Sequence, residues 1–341
     1  MTESRLSYSL WLTAFALSAA VMLYASFHKT VVIPDASEGS IISMGSIATS
    51  AAHALKLKSA ETEGRMLNIP LRKGIKAENI IVDSNYGDKT LKIYIEGEEG
   101  EYYSANQVYG DVSAIVQAEY ETTTGGVILI FSMDNIYEYR TTMTDGLMTV
   151  EIYRPHELYE MVALIDPVAE EGAAKEPALS VAELTERIYK TDKDSVNEGI
   201  KLYFANKRKL ASREEKAEML RESDADIYIA LSCRSSDDAA EYGISVEYDP
   251  EFFIPDFGNT ELSEIMLKEV ALSSVNRTAG FYAAEDDDIL YDIALPACRV
   301  NLGYSSNAKE NELMGLEEYH GLLSKGLING INEVYEKWQK E

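Results

Sequence analysis

Met161-Val162-Ala163-Leu164-Ile165-Asp166-Pro167-Val168-Ala169-Glu170 decides how this chain is read. An unbroken apolar run of this length, stopped by a carboxylate and a proline, suits a strand buried on both faces. Similar short runs lie at 200–204, 226–231, 243–248 and 298–302. Helical patterns alternate with them. Ser180 and Ser212 each open an S-x-x-E capping box, closed by Glu183 and Glu215. Two more helices are expected at 260–275 and 319–340. In the last, Leu323, Leu327, Ile331, Val334 and Trp338 recur at three- and four-residue spacing. Strands alternating with helices predict an α/β domain over 157–341, a mostly parallel twisted sheet flanked by helices. Residues 166–179 read as the loop after its first strand.

Upstream, the pattern turns to β. Strands are expected at 80–82, 91–95, 127–131 and 147–153, with turn signals at Asn85-Tyr86-Gly87-Asp88 and Asp145-Gly146. Short strands at this density predict a small all-β sandwich over 65–156. Its Tyr102, Tyr103, Tyr109, Tyr120, Tyr137 and Tyr139 suit half-buried pleated strands, and stacking on sugars is the rival role. Residues 28–64, with Pro34, Gly39, Gly45 and many Ser and Thr, read as a linker with a weak helix near 47–57. Residues 6–27 carry no charge, and as a helix would be about 33 Å long, enough to cross a bilayer core. The basic n-region of a cleaved signal is poor here, because Glu3 offsets Arg5. The expectation is therefore a transmembrane anchor at 6–27 behind a cytoplasmic tail at 1–5. The chain becomes a single-pass membrane protein with extracytoplasmic domains.

Composition narrows the chemistry. Among 341 residues, 31 Lys and Arg face 58 Asp and Glu, a net charge of −27, which repels polyphosphate and excludes nucleic-acid binding by a basic face. The four histidines are His28, His53, His156 and His320, and the two cysteines are Cys233 and Cys298. No C-x-x-C or H-E-x-x-H pattern exists, and two cysteines build no disulfide framework. Buried thiols are the expectation for both.

Ligands of α/β domains sit off the carboxyl ends of the strands. The segments there are Asp166-Pro167-Val168-Ala169-Glu170-Glu171-Gly172, Ser232-Cys233-Arg234-Ser235-Ser236, and Arg299 through Asn307. In this order they resemble the zinc-dependent N-acetylmuramoyl-L-alanine amidases of bacterial cell walls, from residue 160 to 340. The family's D-P-G-H-G-G turn is approached by Asp166-Pro167, but Ala169 stands where its zinc His would be. The family's next ligand is a Glu at a helix N-terminus, for which Glu183 is the nearby carboxylate. The S-x-x-E-R helix is matched by Ser212-Arg213-Glu214-Glu215-Lys216. The A-D-x-F-I-S-I-H strand is matched by Ala225-Asp226-Ile227-Tyr228-Ile229-Ala230-Leu231-Ser232, so Ser232 replaces the second zinc His. P-A-x-x-V-E-x-G-F-L-S-N is matched from Pro296 to Asn307, and Asn301 stands at the catalytic Glu. The β region resembles the AMIN domain that precedes such amidases, mostly over 126–155.

A catalytic zinc needs three protein ligands and a water, and a general base beside it. Alanine offers no lone pair, neutral serine is a poor ligand, and asparagine moves no proton. His320 is the one histidine in 157–341, and it opens the last helix. The resemblance thus implies zinc, while these residues imply that no metal and no catalytic residue remain, with Ala169, Ser232 and Asn301 vestigial. Asp166, Glu170 and Glu183 are the candidates for a residual pocket. Asp166 is read against a turn-bonding role, Glu183 against a capping role, and Glu170, Glu171, Asp237 and Asp238 against loop solvation. The expected function is an inactive amidase homologue in cell-wall remodelling, in division or sporulation, that binds peptidoglycan or a cell-wall protein. Two rivals remain: an active amidase using displaced Asp166, Glu170, Glu183 and Ser232, and a scaffold that binds no glycan.

Overall fold

A computed structural model describes residues 31–33, 51–169, 174, 176–205, 212–284 and 289–339. The chain divides into two compact units, 1–134 with 139–152, and 135–138 with 153–341.

The first unit holds two sheets, ordered β1-β10-β11-β4-β7-β3 and β2-β8-β9-β6-β5. The strands are β1 (Val31–Ile33), β2 (His53–Ala54), β3 (Leu57–Ser59), β4 (Met66–Pro70), β5 (Ile80–Asn85), β6 (Thr90–Glu96), β7 (Val108–Gly110), β8 (Ile115–Thr122), β9 (Gly126–Met133), β10 (Glu138–Thr144) and β11 (Leu147–Tyr153). A short helix, α1 (Tyr102–Ala105), precedes β7. Strand pairing is antiparallel except between β3 and β7. Leu67, Ile69, Val82, Leu91, Ile93, Ile95, Met148 and Val150 are buried at alternate positions, so each sheet hides one face, as the period of two demands. The six tyrosines singled out in this region are buried or half-buried, none fully exposed. The stretch expected to be a linker contributes β1, β2 and β3. The weak helix expected near 47–57 is instead β2 and β3, among its described residues.

In the second unit the expected strands are present. They are β12 (Met161–Pro167), β13 (Ile200–Phe204), β14 (Ile227–Arg234), β15 (Ile244–Tyr248) and β17 (Ala297–Tyr304), joined by β16 (Thr278–Ala283) at the sheet edge. The order is β13-β12-β14-β17-β15-β16. The first four are parallel. β15 runs against β17 and carries β16 parallel to itself, so the sheet is mixed at one side. The helices are α2 (Glu176–Thr191), α3 (Arg213–Ser223), α4 (Asn259–Ser273), α5 (Ala308–Leu313) and α6 (Glu317–Trp338).

One sheet face forms the apolar core. Ala163, Ile165, Ile229, Leu231, Val300 and Leu302 pack there against Val181 of α2, Met266 of α4 and Leu327 of α6. Gly326 of α6 lies where a Cβ would come within 2.7 Å of the Val270 Cα. The missing side chain lets α4 and α6 touch backbone to backbone, which offsets glycine's poor helix propensity. The Ser212 box forms as expected: Ser212 Oγ accepts from the Glu215 amide at 3.2 Å, and Glu215 Oε2 accepts from the Ser212 amide at 2.8 Å. The Ser180 box does not. α2 begins four residues earlier, at Glu176-Pro177, and Ser180 lies inside it. Proline suits a first turn because its missing N–H is not needed there.

Among the described residues no helix is long and apolar enough to cross a membrane. This corrects the expectation of a single-pass membrane protein with extracytoplasmic domains. The 6–27 run behind that expectation lies outside the described residues.

Candidate functional site

From β12 the chain crosses to β13 on one side, then returns to β14 on the other. The reversal opens a crevice at the carboxyl ends of β12 and β14, where open α/β sheets place their ligands. Asp166 ends the apolar run of β12, and Ser232 stands near the end of β14.

The sheet face opposite the apolar core is polar, although it is buried. Register aligns two rows across it. Asp166 lies beside Ala230, then Arg299, then Glu247. One step along, Ser232 lies beside Asn301 and then Ser245. Asp166, Ser232, Ser245 and Asn301 are fully buried, and Glu247 nearly so. Burial of so many polar groups requires partners. Ser232 Oγ donates to Asn301 Oδ1, and Asn301 Nδ2 donates to Glu247 Oε1 at 3.2 Å. Arg299 Nη1 donates to Glu247 Oε2 at 2.8 Å, and Arg234 Nη1 lies 3.1 Å from Glu247 Oε1. The Arg234 guanidinium sits over the Tyr282 ring, 4.2 Å from its centroid.

Asp166 holds the other end of the face. Its Oδ2 pairs with Lys216 Nζ of α3 at 2.9 Å and accepts from Tyr228 Oη. Its Oδ1 is buried with no hydrogen-bond partner. Burial pushes this carboxyl above the usual range, against the opposing pull of Lys216, Tyr228 and Arg299.

The residues expected to be vestigial divide accordingly. Ser232 and Asn301 meet side by side. Ala169 follows β12 and is exposed. Glu183 is exposed in the body of α2, which packs on the apolar face of the sheet, so it does not join Asp166 and Ser232. Glu170 and Glu171 lie outside the described residues. The carboxylate at the N-terminus of α2 is Glu176, its exposed first residue, whereas Glu183 lies further along the helix. The signal of that terminus in the sequence was the Glu-Pro pair. Cys233 and Cys298 are buried thiols, not joined in a disulfide. His320 bonds the Met314 carbonyl at 2.6 Å through its ring Nε2. Asp238 caps the local turn by accepting from the Ala240 amide at 2.9 Å.

Sequence reasoning missed Glu247, Arg234, Arg299 and Lys216. An arginine between Cys298 and Val300, and a glutamate between Val246 and Tyr248, were the readable signals of a polar face. The donor chemistry of this face does not suit zinc. Ser232 and Asn301 are spent on each other, Glu247 is held by arginines, and Glu176 alone is short of the required ligands. Among the described residues no group of three or more His, Cys, Asp or Glu is placed to hold a metal ion. The cluster offers charged and hydrogen-bonding groups that can bind and orient a polar ligand.

No family model matches the chain. No curated protein matches it either. Among solved structures its neighbours are N-acetylmuramoyl-L-alanine amidases. The catalytic domain of CwlV from Bacillus (Paenibacillus) polymyxa is 18% identical, with 52% of this chain and 98% of that one covered and a TM-score of 0.43. An amidase from Clostridium difficile 630 is 17% identical, covering 52% and 97%, with a TM-score of 0.44. The CwlD amidase from Clostridioides difficile, in complex with the GerS lipoprotein, is 16% identical, covering 53% and 99%, with a TM-score of 0.40.

Proposed function

We propose that this chain is a non-catalytic homologue of the zinc-dependent N-acetylmuramoyl-L-alanine amidases. It acts in peptidoglycan remodelling by binding the wall or a partner protein, and its β unit is AMIN-like. One observation carries the reading. Ser232 and Asn301, at the positions of a zinc His and the catalytic Glu in the resemblance, face each other across β14 and β17 and bond directly. The pair is continued by Glu247, Arg234 and Arg299 into a buried network in which these groups meet one another. Ala169 supplies no donor. The expected zinc is therefore absent from this reading, and so is hydrolysis.

A displaced-site hydrolase needs Asp166, Glu170, Glu183 and Ser232 to converge, of which Glu170 lies outside the described residues. Glu183 stands on a helix of the opposite sheet face, and Asp166 is committed to Lys216 and Tyr228. The test is incubation of the full chain with purified sacculi, followed by pelleting and muropeptide analysis. The reading expects co-sedimentation without release of stem peptides. Release of L-alanine-terminated stem peptides, lost on Glu176→Gln, would overturn it. A chain that stays in the supernatant, and is retained by no wall protein, would remove the binding role.

A further inference from the structure

We infer that Arg234 is a receptor for an oxyanion, a carboxylate or phosphate group, at the carboxyl ends of β14 and β17. The inference names the ligand chemistry of the same strand-end site and rests on the reading that this site still receives a ligand. Four features of the geometry carry it.

Arg234 ends β14, two residues past Ser232, where pairing with β17 shifts register. Such irregularities re-aim a side chain and recur beside binding sites. Its guanidinium carbon sits over Tyr282 at 4.2 Å from the ring centroid, a cation–π contact that holds the donor fork in place. The side chain is 26% exposed, against 13% for Arg299 and 9% for Glu247, so Arg234 is the cation of this network that reaches solvent. Charge is also unbalanced. Glu247 accepts from Arg299 Nη1 at 2.8 Å and from Asn301 Nδ2 at 3.2 Å, in good geometry. Arg234 Nη1 is 3.1 Å from the same carboxylate, yet it is buried without a hydrogen bond. One carboxylate therefore serves two guanidiniums. Lys216 does not change the sum, because it neutralises Asp166. Asp238 in the following loop is turned to the Ala240 amide.

A planar fork with charge to spare is suited to the two oxygens of an oxyanion. The nearby Ser236 and Ser306 are joined, the Ser306 hydroxyl accepting from the Ser236 amide at 3.0 Å, and they give the rim a polar lining.

The experiment is calorimetric titration of the full chain with N-acetyl-L-alanyl-D-glutamate, with the diamide of that peptide, and with inorganic phosphate. Binding of the dicarboxylate but not the diamide, weakened at least about tenfold by Arg234→Gln and partly restored by Arg234→Lys, is the expected result. Phosphate binding with the same dependence supports the receptor and assigns its natural ligand to phosphate-bearing groups. Equal binding of the diamide, an unchanged affinity in Arg234→Gln, or no binding of either anion overturns it. Should Arg234→Gln fail to fold, Tyr282→Ala removes the ring beneath the guanidinium and is expected to weaken the same titration. Pelleting with sacculi separates the two readings. A chain that pellets but binds neither anion leaves wall binding standing and removes this inference. A chain that binds through Arg234 but does not pellet does the reverse.

Discussion

Glu247→Gln isolates the charge at the centre of the polar face. The substitution keeps the shape and an acceptor oxygen, and it removes the anion that Arg299 meets at 2.8 Å and Arg234 at 3.1 Å. Breaking a buried ion pair from one side costs about 3–5 kcal/mol, because the partner charge stays buried. Arg234 is 26% exposed and can turn toward water, whereas Arg299 at 13% cannot. The lower end therefore applies, about 3 kcal/mol, or about a hundredfold in the folding constant. For a unit of this size that corresponds to a Tm lower by roughly 6–12 °C. Trp338, packed edge-on against Phe257, reports unfolding of the second unit by fluorescence, with Trp11→Phe as background. The paired change Glu247→Gln with Arg299→Met is expected to lose less than the sum of the two, by at least about 1 kcal/mol of coupling. A single variant within about 0.5 kcal/mol of the parent, or strict additivity in the pair, would refute the network as described.

Other outcomes follow from the same geometry. Gly326→Ala drives a methyl against Val270 and the Glu269 carbonyl, and should cost about 1–3 kcal/mol in urea unfolding, while Gly321→Ala, with open space around it, should not. Glu310 accepts from the Gly243 amide at 3.0 Å, the Tyr304 amide at 2.7 Å and Asn276 Nδ2 at 2.7 Å. Glu310→Ala orphans these donors and should cost about 3 kcal/mol or more, with Glu310→Gln recovering part of the loss. Asp226 has a carboxyl raised by burial, opposed by its bond from the Val162 amide and by His156. Its folded value lies above the unfolded one, so its contribution is complete below about pH 3.9 and is lost as pH rises through the folded value. Asp226→Asn should therefore gain stability relative to the parent as pH rises across that window. A flat difference from acid to neutral pH would contradict the assignment.

The fold was legible where burial is complete on both faces. β12 opens on the uninterrupted apolar run Met161 to Ile165, as a strand between two neighbours requires, and β13 at the sheet edge is apolar but for Lys201. The Ser212 cap was legible because its letters match a local structure that depends on few neighbours. The same letters at Ser180 misled, since S-x-x-E within a helix cannot be told from a box by spacing alone. The Glu176-Pro177 start carried the stronger constraint. β16 and β7 escaped notice because each carries a glycine and lacks a long apolar run. At the site, the replaced residues could be read from motif order, residue by residue. Their new partners could not. Glu247 meets Arg299 through the antiparallel register of β15 and β17, and no spacing in the sequence encodes that register.

In the proposed reading Ser232, Asn301 and Glu247 are engaged with one another and with arginine, and the face holds no zinc. The direct measurement is zinc content of the full chain, purified without chelator and dialysed against trace zinc, by elemental analysis on the sample used for muropeptide digestion. The account predicts no stoichiometric zinc and no difference in thermal stability with or without the metal. One zinc per chain, released by Glu176→Gln or Ser232→Ala, would contradict it.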